Sequence, residues 1–303
     1  MKKHLTLTFF QRKGFFFLIL IIFSFFFFPG YLVNQIDGGR IMGHIQKQLS
    51  FGPRLPGSDA SKLTSGYFKD YLKSCGWQVE FQEFDFDGIT LRNIIGKNSL
   101  NPPQLIIGTH YDTRQYSDED LDKTKHSFPV PGAIDGASGS AIILELGELL
   151  TRNDLSVWLV FFDGEDQGKI NDWQWSIGSQ YFVQNLDDLP NKVVILDMLG
   201  DNNLRVFEEK NSNLDLSEEI WSVAQKMGYG KYFINEQKYS MIDDHLPFIN
   251  KGIPAALLID FDYPYWHTTN DTLDKVSAES LKIVGETILT WLEQYPKSIT
   301  PAK

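Results

Sequence analysis

Short nonpolar runs alternate with amphipathic stretches along most of this chain. The runs at 105–110, 157–162, 192–198 and 254–259 are too short for helices and too apolar for a wet face, so they predict buried strands. Residues 78–87 alternate nonpolar and polar, and 90–96 carries Ile94 and Ile95; that pair predicts an antiparallel edge with one solvated face. A further strand is expected at 204–208. Helical spacing predicts helices over 36–50, 60–75, 138–151, 179–186, 216–227 and 277–294, and a short one that opens in 242–248 and ends at Gly252. Ser58 or Asp59 offers a cap for the second helix, and Gly76 ends it. Residues 114–131 are polar with prolines near the end and read as a loop, with the acids from Asp118 to Asp122 as a solvated surface. Helices alternating with buried strands predict an α/β fold: a three-layer α/β/α sandwich around a mixed, mostly parallel sheet.

The N-terminus breaks this pattern. Residues 14–28 are apolar on every face, and the run extends to Val33 behind Lys2, Lys3, Arg12 and Lys13. About 20 such residues can span a bilayer. No small-residue cleavage site follows, so an uncleaved signal-anchor, an N-terminal transmembrane helix, is favoured over a cleaved signal peptide. The basic flank then stays in the cytoplasm and the body faces outward, into the periplasm or beyond; secretion after cleavage is the alternative. Residues 1–35 form the anchor and 36–303 the folded domain in this reading. The chain carries a formal −11, of which residues 1–33 contribute +4, so −15 (−11 minus +4) falls on the rest. A body that acidic is a poor partner for nucleic acid. The single cysteine, Cys75, reads as a small buried residue.

Chemistry gathers at the predicted strand ends. The strand 157–162 runs into Asp163-Gly164-Glu165-Asp166, and adjacent carboxylates there need a counter-charge, a proton or a metal. Asp166 reads as a zinc ligand and Glu165 as the acid/base beside it. His110, Asp197 and His267 also lie at or just after strand ends, and Asp135 lies in the glycine-rich turn before a helix. Ligands sit at that edge of parallel sheets. These five potential ligands, with one carboxylate shared, give three per metal and leave each metal an open position. Asp112 either caps a turn or orients His110 from behind. Taken singly, each of these residues also fits a structural role.

The residues resemble the M28 zinc peptidase superfamily. The resemblance rests on Gly108-Thr109-His110-Tyr111-Asp112-Thr113, the turn from Gly132 to Gly139, Phe161 to Asp166, Leu196 to Gly200, Asp244 to Phe248, and His267-Thr268-Thr269, in family order. It implies the aminopeptidase-like sandwich. It implies Asp135 as bridging ligand, Asp166 and His267 completing one zinc, His110 and Asp197 the other, Glu165 as acid/base, and Asp112 behind His110.

Two activities occur in that superfamily, both on free peptide N-termini. Aminopeptidases cleave the first residue with two zincs. Glutaminyl-peptide cyclotransferases use one, at the positions matching Asp135, Asp166 and His267, and convert N-terminal glutamine to pyroglutamate with loss of ammonia. The chain is closest to the cyclase branch. Trp266 precedes His267, Asp243 doubles the acid before His245, Trp173 and Trp175 follow the Glu-Asp pair, and the loop 51–58 is similar too. Trp266, Asp243, Trp173 and Trp175 are expected around the substrate pocket. Two departures stand out: Asp166 replaces a common Glu, and Leu257 occupies the place of a supporting His. Aminopeptidase is the alternative, and an inactive binding domain the third reading; the complete ligand set and Glu165 argue against the last.

Overall fold

A computed structural model describes residues 35–150 and 154–296. The apolar run at 14–33, and residues 1–34 of the assigned anchor, lie outside the described residues. No helix among the described residues is long and apolar enough to cross a membrane.

The four nonpolar runs become β3 (Leu105–His110), β4 (Val157–Phe162), β5 (Lys192–Asp197) and β8 (Ala255–Ile259). Every residue of β3 and β8 is buried. Since alternate residues face opposite sides of a sheet, both faces are covered. The alternating stretches form the hairpin β1 (Gln78–Phe86) and β2 (Ile89–Lys97), and β1 lies at the edge. Strand order is β1-β2-β4-β3-β5-β8. β1, β2 and β4 pair antiparallel, and β4, β3, β5 and β8 run parallel. The sheet is therefore mixed and mostly parallel, as expected.

Helices α1 (Gly38–Leu49), α3 (Ala137–Leu149) and α7 (Ala278–Gln294) pack on one another, and α3 lies over β3, β4 and β5. α2 (Asp59–Ser74) covers the hairpin, capped by Ser58 Oγ on Ser61 N at 3.1 Å. α4 (Ile177–Gln184) rests on β2, and α6 (His245–Asn250) on β5 and β8. α5 (Leu214–Lys226) packs on β8 and α7. A small parallel pair, β6 (Val206–Glu208) and β7 (Phe233–Gln237), stands apart. β7 leaves no nonpolar run in the sequence, because only Phe233 in it is buried. Cys75 is half-buried at the C-terminal cap of α2 rather than fully enclosed.

Register explains what happens at the top of the sheet. His110 aligns with Phe162 across β3 and β4, and Asp197 aligns with Ile259 across β5 and β8. Parallel strands of matched register end together. His110, Asp197 and the chain leaving Phe162 and Ile259 thus reach one rim. Glycine lets α3 close over it: a Cβ on Gly139 would lie 2.3 Å from Thr109 Oγ1 and 2.5 Å from Leu196 O. Gly136, with φ 86, makes the left-handed step that aims Asp135 at the rim.

Candidate active site

His110 Nε2 lies 2.9 Å from Asp197 Oδ1 and 3.1 Å from Asp135 Oδ1. On the other side of Asp135, His267 Nε2 lies 2.8 Å from Asp166 Oδ1 and 3.7 Å from Asp135 Oδ2. Two groups, His110-Asp135-Asp197 and Asp135-Asp166-His267, each bring their ligand atoms within 4.8 Å of one another. Asp135 belongs to both. All five of these side chains are buried.

Several of them are held from behind. Asp112 accepts from the backbone N–H of Glu165 at 3.0 Å and of Asp166 at 3.2 Å, and from Gln167 Nε2 at 3.1 Å. Its carboxylate also lies 3.5 Å from His110 Nδ1. Asp112 thus accepts from the turn after β4 and stands behind the His110 ring without a hydrogen bond to it. Asp271 accepts from the N–H of Ile134 at 2.9 Å and of Asp135 at 3.1 Å, and fixes the Asp135 turn. The buried Arg54 donates to the carbonyls of Tyr111 at 2.8 Å, Pro131 at 3.0 Å and Gly132 at 2.6 Å. Burial lowers its pKa to about 10.

Glu119 and Asp122 are exposed, as expected of a solvated surface, but Asp118 and Asp120 take part in this frame. Asp118 Oδ1 lies 3.7 Å from His267 Nδ1 and pairs with the buried Arg114. Asp120 accepts from Thr269 N at 3.2 Å and Thr269 Oγ1 at 2.6 Å. The local sequence hides both roles, because His267 and Thr269 lie far away along the chain.

Above the second group is a cavity of about 190 Å³, lined among others by Glu165, Asp243, Trp175 and Trp266. Trp266 stacks on the His267 ring at 3.8 Å and 25°, and Trp175 faces it at 6.1 Å and 17°. Contrary to expectation, Trp173 is not on this wall. It packs with Phe84, Leu91 and Ile177 and donates to Asp87 Oδ2 at 3.2 Å. Left-handed residues at Asn171, Asp172 and Ser176 turn the loop, so the two indoles part. A larger hollow of about 540 Å³ opens beside the N-terminus of α2. It contains none of the five clustered residues, so size does not identify the site.

The loop carrying Asp243 is also clamped. Ser179 Oγ donates to Asp244 Oδ1 at 2.6 Å, and the buried Glu209 accepts from Met241 N at 2.9 Å while lying 3.1 Å from His245 Nε2. Glu209 and Asp271 carry no signal in the sequence as site residues; Arg54 lies in the loop 51–58 but is not singled out there. Leu257 is fully buried in β8, opposite Ile195, and packs in the core.

The donor set fits a metal. Buried carboxylate oxygens Asp135 Oδ2 and Asp166 Oδ2 have no hydrogen-bond partner. Unpaired buried anions are costly. The protonation pattern reflects the same crowding. Burial raises Asp166 to about 6, with the Asp135 charge adding to it. Burial alone would lower the His110 pKa, but Asp197, Asp112 and Asp135 outweigh it and hold the ring well above its ordinary value. Burial, then Asp243, Asp244 and Asp166, holds Glu165 well above the ordinary carboxylate range against the pull of His110. Ser176 Oγ donates to Glu165 Oε1 at 3.4 Å. Glu165 lines the cavity.

Comparison with known proteins agrees with this geometry. The family model described as Peptidase family M28 matches residues 91–292. Glutaminyl-peptide cyclotransferase of Boiga irregularis is 26% identical over 299 residues, covering 80% of this chain and 77% of that protein. The glutaminyl cyclase of Tannerella forsythia has a TM-score of 0.81 and 31% identity, covering 86% of this chain and 100% of the other. A Zn-dependent exopeptidase from Parabacteroides distasonis has a TM-score of 0.80 and 32% identity, covering 85% and 98%.

Proposed function

The chain belongs to peptidase family M28, a zinc-dependent enzyme family, and from that premise we propose that it is a glutaminyl-peptide cyclotransferase. The observation that carries this reading is the small cavity closed by Trp175 and Trp266, with Glu165 and Asp243 facing into it. Such a space suits one polar side chain folded back on its own amine, rather than a long peptide cleft.

In this reading Asp135, Asp166 and His267 hold zinc, and His110 and Asp197 border it. The metal, when bound, supplies Lewis-acid polarisation of the side-chain carbonyl of the N-terminal glutamine. The chain's own residues do the rest. Trp175 and Trp266 sandwich the side chain and exclude water, and Asp243 borders the pocket beside the substrate's amine. The α-amine attacks the side-chain carbonyl carbon, forming the ring C–N bond. Glu165 takes a proton from that amine and returns one to the departing amide nitrogen. The bond to that nitrogen breaks, ammonia leaves and a pyroglutamyl peptide remains.

The alternative, an aminopeptidase, has one specific observation in its favour: His110, Asp197 and Asp135 make a second complete metal group. A single incubation separates the two. The purified chain is given a peptide with N-terminal glutamine and a leucine amide. Loss of ammonia from the first, read by mass spectrometry, supports the cyclase. Release of free leucine from the second, with the first untouched, supports the peptidase and sinks the cyclase.

Residues 1–35 act in this proposal as a signal-anchor, with 36–303 the enzyme domain outside the cytoplasm. The basic start followed by the apolar run supports it. Retention in the membrane pellet after alkaline carbonate washing, with the body digested by external protease, is the expected result; a soluble, shortened chain would refute it.

A further inference from the structure

Arg114 is a cation in the loop after β3 whose side chain is 5% exposed. It touches three parts of the site at once. Its Nε and Nη2 donate to the two oxygens of Asp118 at 2.7 and 2.6 Å. That carboxylate lies 3.7 Å from Nδ1 of His267. Its Nη1 donates to the backbone carbonyls of Asp166 at 3.1 Å and Gly168 at 3.2 Å, and stands 4.0 Å from Asp166 Oδ1. Its guanidinium plane sits over the Trp175 ring, 5.1 Å from the centroid. The same indole presses on Gly168, where a Cβ would come within 2.1 Å of the ring.

We infer that Arg114 is a positioning residue that fixes Asp166, His267 and the Trp175 wall in one register. This rests on the proposed zinc at Asp135, Asp166 and His267. The side chain's planar fork is well matched to that role, because a guanidinium can pair with a carboxylate, bond carbonyls and stack at the same time. A residue serving only to tie a loop has no need to stack on the cavity wall. Asp166 and His267 leave the sheet on separate loops, so register does not align them as it aligns His110 with Asp197. Arg114 and Asp118 supply that alignment.

The test uses the full chain in mild detergent. Zinc affinity is measured by competition with a chromogenic chelator, alongside kcat and KM on a glutamine peptide. Arg114→Lys keeps the charge but loses the fork. Zinc affinity is expected to fall about 10- to 100-fold, the usual loss when a partner behind a ligand is removed, and KM to rise as Trp175 loosens. Asp118→Asn, at a half-exposed position, leaves the carbonyl bonds and is expected to weaken zinc with KM unchanged. Gly168→Ala displaces the indole and is expected to raise KM with zinc affinity unchanged. Wild-type zinc affinity and KM in Arg114→Lys would overturn the inference. So would a misfolded Arg114→Lys, seen by circular dichroism, with Asp118→Asn and Gly168→Ala both like wild type. A wild-type chain that binds no zinc would overturn the metal assignment itself, before any substitution is made.

Discussion

His110 and Asp197 reach Asp135 from the ends of neighbouring parallel strands; Asp166 and His267 reach it from loops. The first group inherits its geometry from sheet register. The second must be assembled, and the structure surrounds it with Asp112, Asp118, Arg114 and two indoles. The cavity is lined by all of the second group and by Asp197 of the first, whereas His110 is not on its wall. The proposed chemistry therefore centres on the group whose scaffold is less automatic.

The sharpest way to break this contrast is to remove one histidine from each group. His267→Ala is expected to lose its zinc and reduce turnover to background, while His110→Ala keeps metal at the loop group and most of its activity. Elemental analysis and initial rates read both; equal losses would mean the two groups work as one. Next in size, Glu165→Gln is expected to lower kcat by about 10²- to 10⁴-fold with bound zinc unchanged. Retained turnover would remove Glu165 from proton transfer. Asp112→Ala frees the Glu165–Asp166 backbone, and a loss of about 10- to 100-fold in zinc affinity is expected. A drop confined to His110-dependent metal would instead assign Asp112 to the sheet group.

The smallest effect is on stability. In metal-stripped protein, Asp166 titrates at about 6, Asp243 at about 7 and Asp244 at about 8, each raised mainly by burial. His110 and His267 are also raised, by neighbouring acids that outweigh burial. Groups of both kinds hold protons more tightly when folded, so stability is greatest at low pH and falls as pH rises through these values. Asp135, lowered, opposes this. The melting temperature is expected to drop between pH 5 and 8 without metal, and zinc to raise it more at pH 8. A flat profile would mean the cluster is not crowded in solution.

Much of this is legible in the chain. β3, β4, β5 and β8 announce themselves because burial on both faces demands unbroken nonpolar runs, and a polar residue at the end of such a run has few other reasons to be there. The frame around the site is not legible. Arg54, Asp271 and Glu209 look like ordinary surface charges until tertiary contacts bury them, and Asp118 and Asp120 meet His267 and Thr269 only through the fold. Trp173 leaves the expected wall because sequence proximity to Trp175 says nothing of the left-handed turns around them.

Asp135 has one carboxylate for two metal groups. A first ion at either group would draw on that charge, and a second would bind beside a positive neighbour with a ligand already engaged. Filling both groups would therefore be anticooperative, and the number of ions held would depend on how much free metal surrounds the protein.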